Sequence, residues 1–190
     1  MRTRDENKIQ ALENATFDLV EESGIANLSI NKLAKRAGVS VATTYIYYEN
    51  KADLLGQLFS KVQENLITQL PMPDQTLIPQ DQFATLMRDY AANFEKHPKQ
   101  VAFMATMVAN PEFLPDDMQG EGSLLSPAML TVIKQAYQQQ LLTTANVDII
   151  VAQALQPMQW LMQSRLRNNL SVSEDELNTL IQLATRALFK

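Results

Sequence analysis

Residues 28–55 read LSINKLAKRAGVSVATTYIYYENKADLL, and the order of residue types predicts a short helix, a glycine turn and a second short helix crowded with hydroxyls. Ser29 is placed to cap the first helix. Ile30, Leu33, Ala34 and Ala37 then recur at i, i+3, i+4 and i+7, one apolar face with Asn31, Lys32, Lys35 and Arg36 outside it. Gly38 follows the last periodic residue, where a left-handed backbone ends a helix without steric penalty, and Ser40 can cap the next helix. The two helices stand three or four residues apart, the spacing of a helix-turn-helix.

The second helix, about 41–48, is too short to be stable alone, because one or two turns barely recover the cost of nucleation. Thr44 and Tyr48, four residues apart, suit its packed side, which leaves Val41, Ala42, Thr43, Tyr45, Ile46 and Tyr47 for the open end. A face of hydroxyls and methyls with no carboxylate before Glu49 can approach phosphates and base edges closely. Asn50 is expected to cap a further helix with Asp53 in its first turn and Lys51 at its first position. A cation there opposes the helix dipole unless a phosphate arrives, when free amides and ammonium favour the same anion.

The segment 24–55, with AGVSVATTYIYYENKADLL at 37–55, resembles the DNA-binding region of the TetR/AcrR family of bacterial one-component repressors. The resemblance rests on Ala37 to Ser40, Thr43, Thr44, Tyr45, the aromatic pair Tyr47 and Tyr48, and Lys51, and it covers the first third of the chain. It implies an all-α fold: an N-terminal three-helix helix-turn-helix DNA-binding domain plus a C-terminal helical ligand-binding and dimerisation domain. It further implies a homodimeric repressor on a palindromic double-stranded DNA operator, released by a small apolar or amphipathic effector. Base-edge contact then falls to Val41, Ala42, Thr43 and Ile46, and phosphate contact to Ser40, Tyr45, Tyr47 and Lys51 with Lys32 added. Val41 stands where many relatives carry a polar or basic residue, so a thymine methyl is its more natural partner. Thr44 replaces a larger aliphatic residue, and its hydroxyl needs a backbone carbonyl one turn back.

Composition narrows the alternatives. The 190 residues are 46% hydrophobic, enough for one large core or two modest ones. With no cysteine and a single histidine, His97, the chain lacks thiolate metal sites, disulfides and cysteine nucleophiles. No enzyme, metal or cofactor is expected, and the adjacent Asp116 and Asp117 read as loop charge. The start MRTRDENK has no apolar signal core and no apolar run approaches membrane-spanning length, so a cytoplasmic protein without membrane attachment is expected. The net charge of -5 argues against a polyanionic partner. Yet in residues 1–51 Arg2, Arg4, Lys8, Lys32, Lys35, Arg36 and Lys51 balance Asp5, Glu6, Glu13, Asp18, Glu21, Glu22 and Glu49. A neutral head on an acidic body should bind DNA weakly as a monomer and need two heads.

The remainder reads as helices. A first helix over 5–23 carries Leu12, Ala15, Thr16, Leu19 and Val20 on one side, stopped by Gly24, with Arg2 and Arg4 as a flexible arm ahead of it. A helix over 51–69 leads to a linker marked by Pro71, Pro73 and Pro79, giving a DNA-binding domain 1–50, a connecting helix 51–70 and a ligand-binding and dimerisation domain 71–190. Further helices are expected over 81–97, from Pro98 to Asn110, and over 124–142, with His97 at a helix end. In the final hairpin, 149–166 and the helix opened by a Ser173/Glu176 capping box should pair across a two-fold axis as the dimer interface, with a kink or fresh start at Pro157. Arg165 and Arg167 suit exposed or interface positions without a carboxylate partner. Met87, Tyr90, Phe94, Phe103, Met107, Tyr137 and Trp160 are the candidate effector-lining residues, since thioethers and aromatics line adaptable pockets and fill ordinary cores alike. The alternative function is a helical scaffold that uses the motif to hold a protein partner.

Overall fold

Helix α1 begins at Arg2 and runs to Ser23, three residues ahead of the expected start, because nothing in RTRDEN breaks a helix and Asp5 lies in the first turn, where the dipole favours an acid. Residues 2–4 are therefore helical backbone and not a flexible arm. The computed structural model describes residues 2–114, 125–168 and 170–190, with side chains from residue 5 onward. Asp116, Asp117 and the expected helix start at 124 lie outside the described residues. After a 3-10 turn at Ile25–Asn27 come α2 (Ile30–Ala37), α3 (Val41–Tyr47), α4 (Lys51–Gln63), α5 (Pro79–Lys96), α6 (Pro98–Val108), α7 (Pro127–Gln138), α8 (Val147–Arg167) and α9 (Glu174–Leu188). The chain is all-α, and among the described residues the only extended pairing is an isolated bridge between Leu142 and Phe189.

Two compact units divide the chain, and their limits differ from the expected boundaries at 50/51 and 70/71. The first comprises the described residues of Met1–Val62 and Ala102–Gln119; the second, those of Gln63–Val101 and Gly120–Lys190. In the first unit Leu12, Leu33, Leu54, Leu55 and Phe59 are fully buried, and Phe17 meets Phe103 edge-on at 5.3 Å. Glu13 is buried in the same unit, with both its oxygens accepting from Lys61 Nζ at 2.7 Å. Taking a carboxylate out of water is costly unless it is paired and hydrogen-bonded in this way.

In the second unit α5 is the central helix, packed against α7, α8 and α9 through the expected stripe of Phe83, Leu86, Met87, Tyr90, Ala91 and Phe94. The buried Tyr90 hydroxyl accepts from the Ser126 backbone N–H at 2.7 Å, and desolvation pushes its pKa up to about 12. The helix that opens as α4 passes at Glu64–Thr68 into a π-helical turn, and the Asn93 side chain donates to the carbonyls of Asn65 and Leu66 there, at 2.9 and 3.0 Å. Helix α7 is shorter than expected at both ends. Ser126 caps its start, and Gln140, with a positive φ of 58°, follows its end. Pro157 does not divide α8, which stays one helix. The carbonyl of Gln153 that loses a partner there lies beside exposed side chains, where water can replace the missing N–H.

The α8–α9 turn is tied by charge. Ser173 Oγ accepts from Glu176 N and Glu176 Oε2 accepts from Ser173 N, a capping box as expected. Arg165, to which the sequence assigned no carboxylate partner, donates through Nε to Glu176 Oε1 at 3.1 Å, and its Nη2 contacts the same oxygen. The guanidinium first, and then the Ser173 amide, hold the Glu176 carboxyl at about 2, below its ordinary 4.5. A depressed carboxylate stabilises the fold above the ordinary pKa and loses that contribution as pH falls through the folded value. Glu176→Gln should therefore melt at a lower temperature than the parent at neutral pH, with the difference shrinking between pH 4.5 and about 2. Circular-dichroism melts across that range decide it, and a constant difference would contradict the assignment.

Candidate nucleic-acid interface

Helices α2 and α3 are built by local capping. Ser29 Oγ accepts from Lys32 N at the start of α2. At its end Gly38 adopts φ 68° and ψ 27°, and Val39 N reaches back to the Ala34 carbonyl at 3.0 Å, a Schellman closure that a residue with a Cβ would strain. Ser40 then caps α3, accepting from Thr43 N at 3.0 Å, and the two hydroxyl oxygens lie 2.8 Å apart. Thr44 and Tyr48 are buried as expected, and Thr44 Oγ1 reaches the Ser40 carbonyl at 3.4 Å. Burial, with Glu13 and Asp53 nearby, raises the Tyr48 phenol to about 12, so it stays neutral.

What α3 leaves uncovered is mostly apolar. Ile46 is 76% exposed and Tyr45 54%, with Val41 and Ala42 also exposed and the Ser40 and Thr43 hydroxyls at the N-terminal end. The structure brings these six expected residues together on one short helix and its cap. The other three are held internally. Tyr47 is half-buried and donates its hydroxyl proton to Asp5 Oδ1 at 3.1 Å, and burial followed by this bond raises its pKa. Lys32 Nζ donates to the Asn27 carbonyl at 3.0 Å. Lys51 Nζ donates to the Ile25 carbonyl at 2.5 Å and sits 5.4 Å from the centre of the Phe113 ring, and partial burial lowers its pKa. The first position of α4 is thus occupied for an internal reason as well. One of its free amides is satisfied too, Asp53 N donating to Asn50 Oδ1, while Glu49 N ahead of the helix donates to Asp53 Oδ2.

Sequence reading did not single out Asp5, Asn27 and Phe113, each of which holds an expected DNA-contacting side chain. On α2, Arg36 is likewise engaged, by a bidentate pair to Glu22 at 2.8 and 2.6 Å. Met87, Tyr90 and Phe94 are buried along α5 of the second unit, whereas Phe103 and Met107 belong to the first. Tyr137 and Trp160 are 60% and 71% exposed and have their polar groups available to solvent.

A glycine-ended helix followed by a seven-residue helix with an open methyl and hydroxyl face defines a helix-turn-helix of the nucleic-acid-reading class. Residues 13–58 match the family described as bacterial regulatory proteins, tetR family. The HTH-type transcriptional regulator YdeS of Bacillus subtilis is 36% identical over 80 residues, which is 42% of this chain and 39% of that protein. An HTH-type transcriptional regulator of Staphylococcus aureus is 26% identical over 95 residues, 50% of this chain and 44% of that one. The chain therefore aligns with less than half the length of these relatives. A TetR family transcription regulator from Marinobacter aquaeolei VT8 superposes with a TM-score of 0.85 over all of both chains at 23% identity, which shows a common fold. The N-terminal segment 13–58 is thus similar to the tetR family, and the similar proteins named here are transcription regulators. No described helix is long and apolar enough to cross a membrane.

Because Lys51 is held to Ile25 and Phe113, its loss should be felt without DNA. Lys51→Ala is expected to lower the unfolding free energy by about 1 kcal/mol in urea titration, and unchanged stability would show that the ammonium is held only weakly.

Proposed function

We propose that the chain is a homodimeric transcriptional repressor that inserts α3 into the DNA major groove and leaves its operator when an effector binds the second unit. The observation that carries this reading is the bare face of α3: Val41, Tyr45 and Ile46 lie exposed on a helix capped by two hydroxyls. Val41, Ala42, Thr43 and Ile46 would meet base edges. Ser40 and Tyr45 would meet phosphates, joined by Tyr47, Lys32 and Lys51 if their internal bonds give way. A reading set this apolar favours thymine methyls and sequence-dependent DNA shape over bidentate hydrogen bonding. The named relatives, HTH-type transcriptional regulators, support it.

The dimer is assigned to α8 and α9. Gln153, Pro157, Leu161, Leu180 and Leu183 line a groove of about 490 Å³ between these helices, and Leu183, Trp160 and Ile149 are largely exposed, a face suited to a second copy. An apolar or amphipathic effector would have to part the stripe of Met87, Tyr90 and Phe94, and methionine adapts to such intrusion better than branched residues do. A coupling of about 1 to 3 kcal/mol would change operator affinity roughly five- to 150-fold.

Fluorescence anisotropy with labelled duplexes tests the assignment. Tyr45→Phe should weaken binding to all sequences alike, and Thr43→Ala should relax preference at one base pair. Unchanged affinity in both would remove α3 from the interface, and salt-insensitive binding would favour a scaffold for a protein partner. Light scattering should give a mass twice 21.4 kDa, falling to one chain in Leu183→Glu. A parent monomer at micromolar concentration would contradict the hairpin dimer.

A further inference from the structure

Tyr47 is the one expected phosphate contact whose hydroxyl proton is already given to a carboxylate. It donates to Asp5 Oδ1 at 3.1 Å, and Lys8 Nζ stands 3.6 Å from the same oxygen. A phenolic hydroxyl carries a single proton and so serves one strong acceptor at a time. A DNA phosphate reaching Tyr47 must therefore displace Asp5, and once displaced the carboxylate remains beside an arriving polyanion. The contact joins the start of α1 to the last residue of α3, where Asp5 is exposed and Tyr47 half-buried, so it is open to solvent.

We infer that Asp5 is an affinity-setting residue of the DNA interface, an internal competitor that occupies the Tyr47 hydroxyl until a phosphate takes its place. This rests on the reading of α3 as the DNA-contacting helix. Three properties follow from the geometry. Deleting the Tyr47 hydroxyl removes one hydrogen bond from the free protein and one from the complex, so the two losses largely cancel. Deleting the Asp5 carboxylate frees the hydroxyl and also removes a negative charge from the DNA-facing side. The charge part acts through solvent and fades with added salt, whereas the hydroxyl part requires Tyr47. Lys8, released from Asp5, then stands near the duplex as an unpaired cation, which adds to the salt-dependent part.

The experiment is a double-mutant cycle on duplex affinity, by anisotropy with a labelled promoter fragment and an unrelated duplex at two salt concentrations. Asp5→Ala is expected to tighten binding to both duplexes by about tenfold at low salt, and less at high salt. Tyr47→Phe alone should change affinity by no more than about twofold, yet in the Asp5→Ala background it should weaken binding by about fivefold. Asp5→Asn, which keeps an acceptor without the charge, should fall between parent and Asp5→Ala. Thermal melts of each variant report whether α1 is intact. Retained melting temperature with unchanged or weakened affinity in Asp5→Ala would overturn the assignment. So would a gain of equal size in the Tyr47→Phe background, since that would be charge alone. If Asp5→Ala melts early, the comparison passes to Asp5→Asn, where absence of any gain overturns it equally. Parent protein that binds neither duplex in a salt-dependent way would instead remove the α3 reading itself.

Discussion

A helix of seven residues does not hold its shape in water, and the open face that carries the proposed function depends on how α3 is nevertheless fixed. Its N-terminus is satisfied by Ser40, its path is set by the left-handed Gly38 behind it, and its inner side is anchored by burial of Thr44 and Tyr48. None of these contributions uses the outer side chains. Ile46 and Tyr45 can therefore be bare, and residue identity on that face can vary without loss of the fold.

The charges around α3 are largely spent on one another. Asp5 holds Tyr47 and Lys8, Glu22 holds Arg36, Glu13 holds Lys61, and the Ile25 carbonyl holds Lys51. A head paired in this way offers few unengaged cations to a duplex, in agreement with the zero balance of residues 1–51. Under the proposed function, any phosphate contact made by these side chains would exchange one partner for another, so the net gain per contact would be small. Strong binding would then need two heads presented together, the role proposed for the α8–α9 face.

Features set by neighbours in sequence were legible before any coordinates. Ser29, Gly38, Ser40, Asn50 and the Ser173/Glu176 box all act within three or four residues, where residue type and spacing determine the hydrogen bond. The α5 stripe was legible because its period is unbroken. Contacts made at long range were not. Tyr47 finds Asp5 across 42 residues, and nothing in the local pattern of either signals the other. The exposure of Trp160 and Tyr137 was not legible for a related reason: aromatic and methionine content marks apolar surface, but not whether a neighbouring helix covers it. The early start of α1 was missed because charged residues read as a tail also form helix readily.

The central claim is that α3, held from behind, enters the major groove twice per dimer. Hydroxyl-radical footprinting on the bound promoter tests this most directly. Two protected patches should appear on one face of the duplex, with centres about 34 Å apart or a multiple of that turn. A single patch, or protection without helical periodicity, would contradict it.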